Sequence, residues 1–96
     1  MQTTCASKKE AERIGSALVR AKLAACATFF PATSLFFWKG KLCREKEYVL
    51  ELKCAERNYG KMERKLRVLH SYSLPQVVAF KVARASREYK KWVDGK

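Results

Sequence analysis

The residues with the clearest chemical potential are the single histidine, His70, and four cysteines: Cys5, Cys26, Cys43 and Cys54. A neutral imidazole and a thiolate are ligands that suit copper and zinc. His70, with Cys5 as a second donor, is therefore a candidate metal site. The cysteines form no Cys-x-x-Cys pair, which argues against a zinc ribbon or a thioredoxin-like motif.

His70 also has a purely structural explanation. It stands at the end of a predicted helix, where the helix dipole favours a protonated ring. A transition-metal site needs several convergent donors, and the sequence offers only Cys5 as a helper. The structural cap is the preferred interpretation, and the metal ligand stays open as the alternative.

No catalytic constellation stands out. The chain has one histidine, no glycine-rich phosphate loop and no pair of carboxylates beside the histidine. General acid–base catalysis is therefore unsupported, and we expect a protein that is not an enzyme.

The chain is strongly basic, with 21 lysines and arginines against nine acids and a net charge of +12. Such an excess suits a negatively charged partner, such as nucleic acid or acidic lipid. The basic residues are spread along the chain, however, which favours a solvated surface. An RNA-binding alternative rests on Trp38 beside Lys39 and Lys41, although the glycine-aromatic run of an RNA-recognition motif is missing.

No signal peptide or membrane span is evident. The uncharged run 23–38 contains Pro31 and is shorter than the roughly 18 to 20 apolar residues of a transmembrane helix. We therefore expect a cytoplasmic protein with free thiols and no membrane partner.

Hydrophobic periodicity predicts one α+β domain over residues 1–96. The predicted elements are a strand at 1–4, a helix at 8–24, a long strand ending at Lys39-Gly40, a return strand through Cys54, a helix at 55–69, a strand at 76–82 and a helix capped by Ser86. Ser7 and Glu10 predict a capping box, and Pro31 predicts a bulge or a local sheet edge. This order is the ferredoxin-like βαββαβ arrangement with a long hairpin and a C-terminal helix.

The strand before Lys39-Gly40 is overlong and apolar on both faces. It would run about 14 residues, against a typical length of about 5 to 6. Phe30, Phe36 and Trp38 share one face. A small domain can hardly cover such a strand alone, so we expect it to pair beyond its own subunit.

Several segments together resemble the CutA divalent-cation-tolerance proteins. The matching segments are residues 22–27 (KLAACA), 33–35 (TSL) and 38–42 (WKGKL), then Glu45, Glu47 and Lys53, the run His70-x-Tyr72-x-x-Pro75, and Tyr89-x-x-Trp92. They lie in order along nearly the whole chain with their spacing preserved.

The resemblance implies a homotrimer whose long hairpins pack around a threefold axis, with Phe30, Phe36 and Trp38 in the interface. It also implies an architecture like that of the PII signalling trimers, which receive small effectors in clefts between subunits. The implied function is tolerance of divalent metals, with copper, another divalent cation or a small anionic effector bound in such clefts. The residues expected to line the cleft are Glu47, Lys53, Tyr72 and Trp92. A basic nucleic-acid-binding domain and a purely structural scaffolding trimer are the alternatives.

The sequence departs from the family pattern around its histidine. Members usually read His-Pro-Tyr-Glu-x-Pro-Glu, whereas this chain has Ser71, Ser73 and Gln76 in place of the first proline and both glutamates. Hard oxygen ligands are thus lost beside His70. A metal function carried by that cluster is weakened.

Overall fold

The computed structural model describes residues 1–95 as an α+β subunit measuring 47 × 26 × 21 Å. Its elements are β1 (Gln2–Cys5), α1 (Lys8–Arg20), β2 (Cys26–Trp38), β3 (Lys41–Lys53), a 3-10 turn (Glu56–Asn58), α2 (Tyr59–Leu69) and α3 (Arg87–Asp94). The three strands form one antiparallel sheet in the order β1-β3-β2. The predicted fold class is confirmed.

The first helix begins as the sequence predicts and ends earlier. Ser7 caps α1 by accepting a hydrogen bond from the Glu10 N–H through Oγ (3.1 Å). The Glu10 carboxylate accepts from the Ala6 N–H (3.1 Å), one residue before the position that a capping box requires. The helix stops at Arg20 because Lys22 adopts a left-handed conformation (φ 60°), which turns the chain towards β2.

The long hairpin is the dominant feature of the sheet. β2 and β3 pair over their full 13 residues, and Lys39 and Gly40 close the turn with positive φ angles of 51° and 77°. Two consecutive positive φ values are the signature of a type I′ turn, which matches the natural twist of the strands. Pro31 pairs with Tyr48 without interrupting the register, and it is tolerated because β2 is an edge strand.

The core lies between the two longer helices and the inner half of the sheet. Its fully buried large side chains come from every layer: Ile14, Leu18, Leu50, Leu52, Met62 and Leu66. α1 lies close to the strands at Gly15, where an added Cβ would stand 3.1 Å from the Ala27 Cβ and 3.3 Å from the Leu50 Cδ1. A small residue is therefore required at position 15.

The predicted strand at 76–82 is wrong as a strand. Only Val78 pairs, through an isolated antiparallel bridge in which it exchanges two backbone hydrogen bonds with Gln2 (2.7 and 3.2 Å). β1 is four residues long, so residues beyond Val78 have no strand beside them within the subunit. Phe80 and Val82 consequently remain exposed, despite their alternating pattern.

The outer half of the hairpin exposes apolar side chains on both faces. Leu35, Phe37 and Leu42 on one face are 65%, 75% and 64% exposed, and Phe36 and Trp38 on the other are also uncovered. Contiguous exposed apolar surface of this kind is typical of a site that contacts a protein, a membrane or a ligand. Among residues 1–95, no helix is long and apolar enough to span a membrane.

Candidate functional site

His70 closes α2 and turns its ring towards β1. Its backbone N–H donates to the Leu66 carbonyl (2.9 Å), so it is the residue that ends the helix. Its Nδ1 accepts a hydrogen bond from the Tyr72 N–H (3.1 Å), which places the ring proton of the neutral imidazole on Nε2. Nε2 lies 2.9 Å from the Thr4 carbonyl, to which it donates, and 3.2 Å from the Thr3 hydroxyl. Both ring nitrogens are thereby engaged.

Tyr72 extends this network to the middle of the sheet. Its phenol donates a 2.9 Å hydrogen bond to Glu47 Oε2 on β3. The pKa of Tyr72 is raised by burial and by the hydrogen bond to Glu47, with further contributions from the negative charges of Glu47 and Glu10. The phenol therefore stays protonated and remains a hydrogen-bond donor to the buried carboxylate.

Glu10 holds the loop after α2 against the start of α1. Its Oε2 accepts from the Ser71 N–H (2.8 Å) and lies 3.6 Å from Arg13, while Oε1 accepts from Ala6. Burial alone would raise the pKa of Glu10, but the hydrogen bonds from Ser71 and Ala6 outweigh it, and the pKa is lowered. The carboxylate is thus charged and buried, with its charge compensated by hydrogen bonds.

Cys5 lies beneath these carboxylates and is fully buried. The pKa of its thiol is raised to about 11, mainly by burial and then by the charge of Glu10, with Arg13 opposing and Glu47 adding a smaller contribution. The group is therefore a protonated thiol at neutral pH, unsuited to act as a nucleophile or a metal ligand.

An open groove of about 580 Å³ runs along the sheet beside Glu47. The groove is lined by Ala6, Pro31, Ala32, Thr33, Lys46, Glu47 and Tyr48. Although the chain carries a net charge of +12, carboxylates raise the pKa values of both Cys5 and Tyr72 here. Glu10 and Glu47 thus place negative charge next to Cys5 and Tyr72, while Lys46 contributes a cation to the groove wall.

The four residues predicted to line one cleft separate into two regions of the subunit. Glu47 and Tyr72 are in direct contact. Lys53 lies six residues further along β3, about 20 Å away at a rise of about 3.4 Å per residue. Trp92 lines a second groove, of about 350 Å³, with parts of α1 and β2. Within one subunit these two residues do not reach the Glu47–Tyr72 pair.

Copper at His70 and Cys5 does not fit the contacts of these residues. Binding at either His70 nitrogen would break a hydrogen bond, and the Cys5 thiol is buried and protonated. No three histidine, cysteine, aspartate or glutamate side chains converge on a metal-sized site within residues 1–95. Glu47 is the carboxylate among the residues that line the groove.

Reasoning from the sequence missed the hydrogen bond between the Ser71 N–H and the Glu10 carboxylate. The capping-box spacing made Glu10 a local helix cap, whereas its carboxylate also holds a residue 61 positions away. A signal was present, because Ser71 replaces a proline of the family pattern and thereby supplies the N–H that proline lacks.

Comparison with known proteins identifies the family. The model of the CutA1 divalent ion tolerance protein family matches residues 1–96. The divalent-cation tolerance protein CutA of Archaeoglobus fulgidus is 34% identical over 91 residues, which cover 95% of this chain and 89% of the relative. The protein of the same name from Thermus thermophilus is 34% identical over 91 residues, covering 94% and 88%.

Solved structures agree with this assignment. The periplasmic divalent cation tolerance protein CutA of Archaeoglobus fulgidus superposes with a TM-score of 0.95 at 33% identity, covering 98% of this chain and 92% of that protein. The PII-like protein CutA from Nostoc, in its apo form, superposes with a TM-score of 0.91 at 31% identity, covering 98% and 91%. With the fold and the whole length matched, the chain belongs to the CutA1 family of divalent ion tolerance proteins and has a PII-like fold.

Proposed function

We propose that this chain is a non-enzymatic homotrimer that binds a divalent cation in the groove beside Glu47, where a neighbouring subunit completes the site. The observation that carries the proposal is the buried Glu47 carboxylate, oriented by Tyr72 at the wall of an open groove. A cytoplasmic location is part of the same proposal, supported by four cysteines that are all free thiols.

The case for a trimer rests on the hairpin. Its outer half exposes apolar side chains on both faces, including Phe30, Phe36 and Trp38. One subunit leaves this surface in water, and a symmetric closed assembly would cover it and remove the exposed strand edge. Phe36 and Trp38 are neighbours on one strand face, and Phe30 lies on the same face beyond Ala32 and Ser34. We call these three aromatic residues the hairpin stripe.

The case for a cation rests on charge and on donor type. The negative charges of Glu10 and Glu47 act on both Cys5 and Tyr72, which supports a cation beside Glu47, with Lys46 the opposing charge on the groove wall. The donor that lines the groove is an oxygen of Glu47, and oxygen donors suit manganese or magnesium. His70 then acts as a positioning residue: it holds the Tyr72 backbone, and the Tyr72 phenol orients Glu47.

Calorimetric titration with MnCl₂ tests the proposal on the purified oligomer. We expect a dissociation constant for manganese below about 1 mM. Glu47→Gln should raise it about tenfold or more, because the variant removes one charged ligand. Glu45→Gln is the matched control, because Glu45 lies on the same strand face, two residues away, and is exposed. It should change the affinity by less than about twofold, since a distant exposed charge is screened by salt.

The same titration distinguishes His70 from Glu47 as the residue that binds the metal. His70→Gln should keep the manganese affinity within about threefold, because a positioning residue acts only through its neighbours. CuCl₂ is titrated in parallel. Copper binding that is lost in His70→Gln and unchanged in Glu47→Gln would place the metal at His70 and contradict the proposal.

A further inference from the structure

The outward face of α2 is a cluster of cations. Lys61, Arg64 and Lys65 are all exposed, and at 100° per residue they lie within a sector of about 100° that also holds the exposed Val68. The buried Met62 and Leu66 lie outside this sector. Arg57, in the 3-10 turn four residues before Lys61, adds a fourth exposed cation next to the start of α2. We refer to Arg57, Lys61, Arg64 and Lys65 as the basic face.

These cations are not balanced within the subunit. Arg67, on the flank of α2, pairs with Glu63 (3.5 Å), and Arg13 and Lys90 also pair with carboxylates. Within residues 1–95, Lys61, Arg64 and Lys65 make no hydrogen bond or ion pair. Because like charges one turn apart repel each other, the helix carries a small cost that a bound polyanion would remove.

The basic face continues towards the C-terminal helix. The Arg57 guanidinium donates a 2.8 Å hydrogen bond to the Asp94 carbonyl, which fixes the end of α3 beside the start of α2. Lys91 lies one turn earlier on α3 and is exposed. Two elements thus contribute cations to one side of the subunit.

We propose that the basic face binds the phosphodiester backbone of a nucleic acid, independently of the cation groove. From Arg57 to Lys65 it extends about 12 Å at 1.5 Å per residue, a span along which a nucleic-acid strand presents several phosphates. The cations are lysine and arginine, the residues that make backbone contacts to phosphates. The binding is therefore sequence-independent.

The chemistry of the face favours nucleic acid over a membrane. A helix that lies in a lipid interface needs a broad apolar face in contact with the acyl chains. The apolar face of α2, with Met62 and Leu66, is buried in the core, and Val68 is the one large apolar side chain exposed on this helix. Contact would therefore be electrostatic, as with a solvated phosphate backbone.

Fluorescence anisotropy with a labelled 20-nucleotide single-stranded RNA tests the proposal, with single-stranded DNA and duplex DNA as further arms. The purified oligomer is titrated at several salt concentrations between 50 and 200 mM. Lys61→Gln/Arg64→Gln/Lys65→Gln should weaken binding about tenfold or more at 50 mM salt and reduce the slope of log K against log salt by about 2, at about 0.7 per lost contact. Whichever arm binds tightest identifies the nucleic acid.

Lys8→Gln/Lys9→Gln/Arg20→Gln is the matched control, because it removes three exposed cations from α1 instead. It should weaken binding by less than about threefold, since only long-range attraction is lost. Lys61→Arg/Lys65→Arg keeps the charge and should bind like the wild type. No binding at 50 mM salt, equal losses in the two triple variants, or binding only to phosphatidylserine vesicles would overturn the proposal. The manganese affinity of the Lys61→Gln/Arg64→Gln/Lys65→Gln variant should equal that of the wild type. Refuting nucleic-acid binding would therefore leave the cation proposal standing, and the reverse.

Discussion

The Tyr72 phenol donates a 2.9 Å hydrogen bond to Glu47 Oε2, joining the loop after α2 to the centre of β3. The backbone N–H of the same tyrosine is held by His70 Nδ1. One residue thus links the end of a helix, through its main chain, to a buried carboxylate, through its side chain. His70 therefore acts on the orientation of Glu47 through Tyr72, and not through a hydrogen bond of its own to Glu47.

Removing the Tyr72 hydroxyl should destabilise the fold. Tyr72→Phe deletes a hydrogen bond to a buried charged group, which is expected to lower the free energy of unfolding by about 1.5–3 kcal/mol. Urea unfolding measured by circular dichroism gives this difference. Tyr48→Phe is the matched control, because Tyr48 follows Glu47 on β3 and shows no hydrogen bond through its hydroxyl within residues 1–95. Equal losses in the two variants would show that the Tyr72–Glu47 bond contributes nothing specific.

The carboxylate of Glu10 should make stability depend on acid pH. Its pKa in the folded chain lies below the value in the unfolded chain, because Ser71 and Ala6 donate to it. It therefore stabilises the fold above the unfolded pKa of about 4.3, and this contribution is lost as pH falls through the folded pKa.

Comparison with Glu10→Gln isolates that contribution. At pH 7 the variant should be less stable than the wild type by about 1–2 kcal/mol, because glutamine keeps one acceptor oxygen and loses the charge-assisted hydrogen bond to one of the two part-buried N–H groups. The difference should shrink as pH falls towards 2 in a series of urea unfolding curves. Glu12→Gln, an exposed neighbour on α1, should show no such dependence. A difference that is constant between pH 7 and pH 2 would contradict the role of the ionised carboxylate.

The hairpin stripe should control assembly. The wild type is expected to scatter light with three times the 11.1 kDa mass of the chain at micromolar concentration. Phe36→Asp/Trp38→Asp places charges on the proposed interface, where burying an unpaired charge is strongly unfavourable, so the double variant should be monomeric. Val68→Asp alters an exposed apolar residue on α2 and should leave the trimer intact. A monomeric wild type would refute the proposed assembly.

The parts of the fold that follow from local pattern were predictable, and those that depend on distant partners were not. The Lys39-Gly40 turn and the Ser7 cap of α1 depend on neighbours within a few residues, and both are confirmed. The alternation at Phe80 and Val82 has the period of a strand, but a strand also needs a neighbour, which the short β1 does not provide.

The candidate site shows the same division. His70 stood out because it is the single histidine, and its end-of-helix position was predictable. Its hydrogen bonds to β1 and Tyr72 were not, because they depend on the packing of α2 against the sheet. Lys53 and Trp92 were predicted to line the cleft because of the family resemblance. Within one chain they lie in a different region from Glu47.

Anomalous diffraction from crystals grown with MnCl₂ tests the location of the cation most directly. The peak should lie beside the Glu47 carboxylate, at a contact between two subunits, with the His70 ring still hydrogen-bonded to Thr4 and Tyr72. A peak coordinated by His70 or Cys5, or its persistence unchanged in crystals of Glu47→Gln, would contradict the proposed site.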